Sequence, residues 1–255
     1  MTPTKGATAP RRPFLVRLWN VTRQGALLHV ILLRLPPRLA AFVDRFRRGQ
    51  RDPFNGPANN QQRRIELVRS LFARIPFGAV VETGTYRGST TEFLAGLTSA
   101  PVVTVEVQPR YFWYSRWRLG KQRHVRVMLS DSVAALRALG EGGRIAQPVF
   151  FYLDAHWEEH LPLREEVELI QRYWQDWVIL VDDFQVPDDP GYAFDDYGPD
   201  ARLTIEYLAP ALREDVARFW PAAPSSEETS TRKGCLILAS PSIAADVRAL
   251  DTVRE

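Results

Sequence analysis

The chain has one cysteine, Cys235, among 255 residues. No internal disulfide can form, and a lone thiol suits a reducing compartment. Histidine is nearly as scarce: four scattered residues, with the single cysteine, argue against a zinc site of the Cys/His kind. Long hydrophobic runs are also missing. In the N-terminal region the longest uncharged stretch, "QGALLHVILL" at 24–33, is well short of the ~20 residues that a spanning helix needs. No small-residue cleavage site follows it, so a secretory signal is not expected and the cytoplasm is the expected location. The G-x-G-x-x-G dinucleotide fingerprint and a P-loop lysine are absent as well. There is no internal repeat and no low-complexity tract.

Charge is present, but unevenly. Residues 1–51 hold 11 Lys and Arg and one acid, Asp44, whereas residues 52–255 hold 22 basic and 29 acidic residues. The sequence therefore divides into a basic amphipathic arm, 1–55, and an acidic body, 56–255. The arm mixes leucine and arginine at helical spacing and is interrupted by Pro36 and Pro37. Such a segment can pack on the body or on a second copy of the chain, which favours a homo-oligomer. It can also lie on an anionic membrane surface as a peripheral contact. Nucleic acid is not expected as a partner.

In the body, short apolar runs alternate with helical patterns. Helices are predicted at 59–74, 88–97, 109–119, 131–139, 161–173 and 201–215. Strands are predicted at 78–82, 101–106, 124–129, 148–154 and 177–182, with two more within 216–224 and 233–240. Repeated β-α units imply a mostly parallel, doubly wound α/β sheet of Rossmann-like type. The last two strands, joined by a polar connection, form an antiparallel pair at its end.

Ligands of open α/β sheets bind beyond the carboxyl ends of the strands. Here nearly every strand ends in an acid: Glu82, Glu106, the Ser130-Asp131-Ser132 turn, Asp154, and Asp182 with Asp183. In the first loop, "ETGTYRGST", Gly84 and Gly88 permit close backbone approach, while Ser89 and Thr90 offer hydroxyls at a helix N-terminus. Glu106 stands where a carboxylate accepts both hydroxyls of a ribose. The acidic rim disfavours a triphosphate and favours a nucleoside with a zwitterionic or cationic tail, a character that S-adenosylmethionine has. The plainer reading makes the glycines packing residues, the serine a cap and the acids solvated.

Asp154, Asp182 and Asp183 end neighbouring strands, which lie ~4.8 Å apart, so their carboxylates can converge. Three such groups repel unless a cation or protons intervene. All-oxygen ligands select Mg²⁺, Mn²⁺ or Ca²⁺. Consecutive strand residues face opposite ways, so Asp182 and Asp183 can share an ion only if the chain leaves strand geometry. The alternative is one aspartate as a cap and another solvated.

In order and spacing, "VVETGTYRGST", "TVEVQPRY", "LSDS", "YLDAHW" and "ILVDDF" resemble class I S-adenosylmethionine-dependent methyltransferases. The nearest likeness is to the metal-dependent O-methyltransferase branch, catechol O-methyltransferase-like and macrocin-type, over about 78–240. The Asp-Asp pair is similar to the macrocin type. The resemblance implies a seven-stranded sheet whose last strand is antiparallel. It implies that Glu82, Gly84, Thr85, Gly88 and Ser89 line the methionine end, that Glu106 holds the ribose, and that Asp131 and Ser132 lie near the adenine. The expected activity is O-methylation of a hydroxylated small molecule, a sugar or natural product. The catechol branch places a lysine just after the strand-four aspartate as base; this chain has none there, and His156 is the candidate, with a cofactor-wall role as the alternative. Tyr192, Asp195, Asp196 and Tyr197, in the loop after the aspartate pair, are candidates for recognising the acceptor. Trp113 and Trp117, one helical turn apart, are expected to pack in the core or beside the adenine. Two other readings stay open: a nicotinamide-dependent oxidoreductase on a similar sheet, and an inactive methyltransferase-like binding protein docked through the arm.

Overall fold

The computed structural model describes residues 34–45, 56–156, 161–198 and 200–255. A helix, α1 (Pro37–Arg45), belongs to the arm; the rest of the arm's reading lies outside the described residues. The body then runs α2 (Gln62–Arg74), β1 (Ala79–Thr83), α3 (Ser89–Leu97), β2 (Val102–Glu106), α4 (Pro109–Arg118) and β3 (Val125–Leu129). It continues through α5 (Ser132–Gly142), β4 (Val149–Leu153), α6 (Leu163–Tyr173) and β5 (Trp177–Val181). The last part holds α7 (Ile205–Leu208), β6 (Ala217–Pro221), β7 (Leu236–Ala239), α8 (Ala244–Arg248) and β8 (Val253–Arg254).

The strands form one sheet in the order β3-β2-β1-β4-β5-β7-β6-β8. β1 to β5 are mutually parallel, and β7 enters antiparallel between β5 and β6. The sequence explains the order of burial. β4 and β5, "VFFYL" and "WVILV", are apolar at every position, so only a central place with both faces covered suits them. Alternate side chains feed two cores. Val80, Phe150 and Tyr152 join α2, α3 and α8 on one face, whereas Val81, Phe151 and Leu153 join α5, α6 and α7 on the other. Each fully buried Phe, Leu or Val stabilises the sheet by about 1.5–3 kcal/mol.

Three sequence expectations change. The helix expected at 201–215 is reduced to α7 and a 3₁₀ turn, Ala209–Ala211. Thr204 caps its start late, and Pro210, lacking an N–H, prevents continuation. The helix expected from 59 begins at Gln62, because Ala58, Asn59 and Asn60 all take left-handed backbone angles. Finally, the sheet has eight strands instead of seven: the two-residue β8 pairs with Trp220 and Pro221 of β6.

Candidate active site

The first loop lies between β1 and α3. Gly84 has φ +88°, and a Cβ there would stand 2.1 Å from the carbonyl oxygen of Asp154. Only glycine fits between the loop and the end of β4. Gly88 takes φ +73° as it enters α3, with Leu119 and Ser115 close above it. Glu106 ends β2, and its two carboxylate oxygens accept the backbone N–H of Tyr86 (2.7 Å) and of Gln108 (2.8 Å). Burial pushes its pKa up to about 7, against those two hydrogen bonds. Beside it, Val107 and Leu129 are exposed apolar side chains at the ends of adjacent strands, a shelf next to the Glu106 carboxylate.

Glu82 and Thr85 stand below this surface. Both threonines Thr91 and Thr104 donate to Glu82 Oε2, and Thr85 Oγ1 lies 2.5 Å from Thr104 Oγ1. The Glu82 carboxyl is 1% exposed, and burial raises its pKa to about 7. It braces the loop from beneath instead of lining its open face, because β1 is central and its side chains enter the core. Thr90 Oγ1 accepts the Ala58 N–H, tying the loop to the turn before α2. Ser89 is buried at the start of α3. Asp131 is the N-cap of α5, accepting from Ala134 N at 3.1 Å, with Ser132 buried as its first helical residue.

Next to Gly84, the ends of β4 and β5 bring Asp154, His156 and Asp183 together, with one ligand atom from each within 4.8 Å of the others. His156 Nε2 lies 3.8 Å from Asp154 Oδ1 and 3.8 Å from Asp195 Oδ2. His156 Nε2 and Asp183 Oδ1 are both buried without a hydrogen-bond partner among the described residues. Burial lowers the His156 pKa, although Asp183 and Asp195 oppose this, so the imidazole is neutral near pH 7. The Asp154 side chain is one third exposed. Even so, desolvation in the crowded cluster, followed by repulsion from Asp183 and Glu82, holds its pKa well above the carboxylate range.

Asp182 does not join this cluster, which corrects the three-aspartate reading. The chain does leave strand geometry, with Asp183 at φ +53°. Yet Asp182 turns to the opposite side, where it pairs with the buried Arg64 of α2 and accepts from Tyr152 Oη at 2.5 Å. Its other role is local: Asp182 Oδ1 accepts the Asp183 N–H at 2.8 Å. A carboxylate already satisfied by a guanidinium in the core has no reason to face the rim.

Lys233 is the residue that sequence reasoning missed. Its Nζ binds Asp183 Oδ2 at 2.9 Å and also Asp195 Oδ1. Burial pulls its pKa down, but the two carboxylates outweigh burial and raise it, so it stays an ammonium. The available signal was the antiparallel pair: Val181 of β5 faces Leu236 of β7, so the residues before β7 stand beyond the carboxyl end of β5. Of the acceptor candidates, Asp195 and Tyr197 reach the site, with Tyr197 Oη donating to Asp195 Oδ2. Asp196 instead pairs with Arg202 at the surface, and Tyr192 is buried, donating to Ala223 O. Trp113 and Trp117 lie under the arm, against Arg38 and Phe42 of α1. Residues 157–160, just after His156, lie outside the described residues.

No protein-family model matches the chain, and no curated protein matches it by sequence. Solved structures do. The O-methyltransferase TomG from Streptomyces achromogenes, in complex with SAM, is 17% identical at TM-score 0.51, covering 70% of this chain and 78% of that one. An O-methyltransferase from Bacillus cereus in complex with SAH is 16% identical at TM-score 0.52, covering 80% and 88%. Cofactor-bound Rv0187 from MTB is 20% identical at TM-score 0.52, covering 85% and 95%. Sheet order, strand directions and these likenesses agree: the chain has the Rossmann-like fold of the class I methyltransferases.

Proposed function

We propose that the chain is an S-adenosylmethionine-dependent O-methyltransferase acting on a hydroxyl of a small polyhydroxylated acceptor. One observation carries this reading: the loop suited to the methyl donor abuts the polar cluster directly, through Gly84 packed on the Asp154 carbonyl. A nucleoside held by Glu106, with its ring on Val107 and Leu129, would direct its sulfonium toward Asp154, His156 and Asp183. The likeness to methyltransferases with SAM or SAH bound supports the same cofactor here. In the reaction the acceptor oxygen attacks the methyl carbon, the carbon–sulfur bond breaks, S-adenosylhomocysteine leaves, and the hydroxyl proton is lost. The protein's part is alignment of the two reactants and exclusion of water. Asp195 and Tyr197 would hold further hydroxyls of the acceptor.

The unpartnered Nε2 of His156 and Oδ1 of Asp183, beside Asp154, fit a divalent cation. These three residues would hold it, and an imidazole in the set favours Mn²⁺ over Mg²⁺ or Ca²⁺. The chemistry supplied there would be Lewis acidity, which would fix the acceptor oxygen and lower its pKa. A second reading rests on Lys233, whose ammonium already neutralises Asp183 and Asp195. In that case Lys233 is the resident cation, and the neutral His156 accepts the hydroxyl proton.

Calorimetry with S-adenosylmethionine, S-adenosylhomocysteine and NAD⁺ tests the cofactor; binding of NAD⁺ alone would overturn the proposal. Chelation by EDTA separates the two readings. Loss of turnover with S-adenosylhomocysteine binding intact supports the metal. Full activity in EDTA, with His156→Asn inactive, supports Lys233 and His156.

A further inference from the structure

The cofactor loop is tied to the N-terminal arm by charge. Asp44 of α1 is 3% exposed, although it is the one acid among the first 51 residues. Its Oδ2 accepts from Arg110 of α4 at 2.6 Å, and its Oδ1 accepts from Arg87 of the cofactor loop at 3.1 Å. Both guanidiniums are themselves largely buried, with side chains 13% and 9% exposed for Arg87 and Arg110. Two cations this close repel each other unless a carboxylate lies between them.

The contact continues into the ribose site. Arg87 lies over the Tyr86 ring (5.2 Å) and Arg110 over the Tyr111 ring (5.1 Å), and the two tyrosine rings touch with centroids 4.6 Å apart. Tyr86 holds φ +47°, a left-handed angle unfavourable for an aromatic residue. That angle directs its N–H to Glu106 Oε2. The chain of contacts therefore runs from Asp44 through two arginines and two tyrosines to the carboxylate that would meet the ribose. Phe42 on Trp117 and Arg38 over Trp113 seat α1 on α4 independently of this pair.

We propose that Asp44 is a positioning residue for the cofactor loop: from the arm, it holds Arg87 and Arg110 so that Tyr86 keeps Glu106 in its binding geometry. The consequence for cofactor affinity rests on the methyl-donor reading given above; the hold on the loop does not. Without Asp44 the two arginines separate and the loop loses its left-handed turn. A conservative glutamate keeps the charge between them.

Hydrogen exchange read by mass spectrometry on the full chain without cofactor tests the hold directly. In Asp44→Ala, peptides covering 84–88 should exchange about tenfold faster, while those of β4 and β5 stay protected. Asp44→Glu should restore slow exchange. Asp44→Asn, which keeps the shape and removes the charge, should lie between, and it serves if the alanine variant does not fold. Calorimetry should show the S-adenosylhomocysteine Kd rising about tenfold in Asp44→Ala and recovering in Asp44→Glu. Unchanged exchange at 84–88 while α1 itself opens would overturn the proposal, since the arm would then be mere cover. If the unaltered chain binds no S-adenosylhomocysteine, the cofactor reading falls, and the exchange result still decides the role of Asp44.

Discussion

Replacing Glu82 by glutamine should stabilise the protein, and more so at alkaline than at acid pH. The carboxyl is 1% exposed and its pKa rises from an ordinary 4.5 to about 7, chiefly through burial. Its neutral form is therefore the one the fold prefers. Its favourable contribution is fully present below about pH 4.5 and is lost as pH rises through about 7. The whole shift corresponds to about 3 kcal/mol, and about 2 kcal/mol of it falls between pH 5 and pH 8. Glutamine keeps the shape, and its carbonyl can accept from Thr91 and Thr104 as Glu82 Oε2 does. Urea denaturation of Glu82→Gln and the unaltered chain at pH 5 and pH 8 is the assay. The stability gap between them should widen by about 2 kcal/mol at pH 8. Glu106 titrates in both proteins, so its contribution largely cancels in the difference. A gap of equal size at both pH values would refute the claim that burial keeps Glu82 neutral.

Asp182→Asn should cost about 3–5 kcal/mol, because it leaves the buried Arg64 without its counter-charge; thermal denaturation reads this as a large fall in Tm. Asp183→Asn, by contrast, should leave Tm nearly unchanged while turnover falls about a hundredfold, which steady-state kinetics would show. Gly84→Ala should destabilise by about 2–3 kcal/mol and abolish cofactor binding, since its Cβ would meet the Asp154 carbonyl at 2.1 Å; calorimetry and a thermal melt check both parts. On the proposed methyl-donor reading, Glu106→Gln should raise the S-adenosylhomocysteine Kd about tenfold, since the charge-assisted bonds that Glu106 would make to the ribose are lost. Affinity of the unaltered chain should rise as pH passes upward through about 7, where Glu106 becomes the carboxylate.

Particular residues show which parts of this were legible. The apolar runs of β1, β4 and β5 announced a buried parallel sheet, because strands covered on both faces cannot alternate. Gly84 and Gly88 announced the loop, since the steric rule they satisfy is local. Glu106 and Asp154 were readable as strand-end acids. Helix 201–215 failed because the apolar pattern ignored Pro210.

The sequence by itself determined the parallel part of the sheet and the acids at its carboxyl edge, which follow from periodicity and chain direction. Only the tertiary structure decided which way each acid points. Asp182 is one residue from Asp183, yet it is claimed by Arg64, 118 positions earlier, and turns into the core. Lys233 reaches Asp183 from 50 residues later because β7 runs antiparallel beside β5. Asp44 meets Arg110 across 66 positions and also pairs with Arg87, which places an arm residue beside the loop after β1. Side-chain direction in a crowded site depends on partners brought close by folding, and no local spacing encodes those partners.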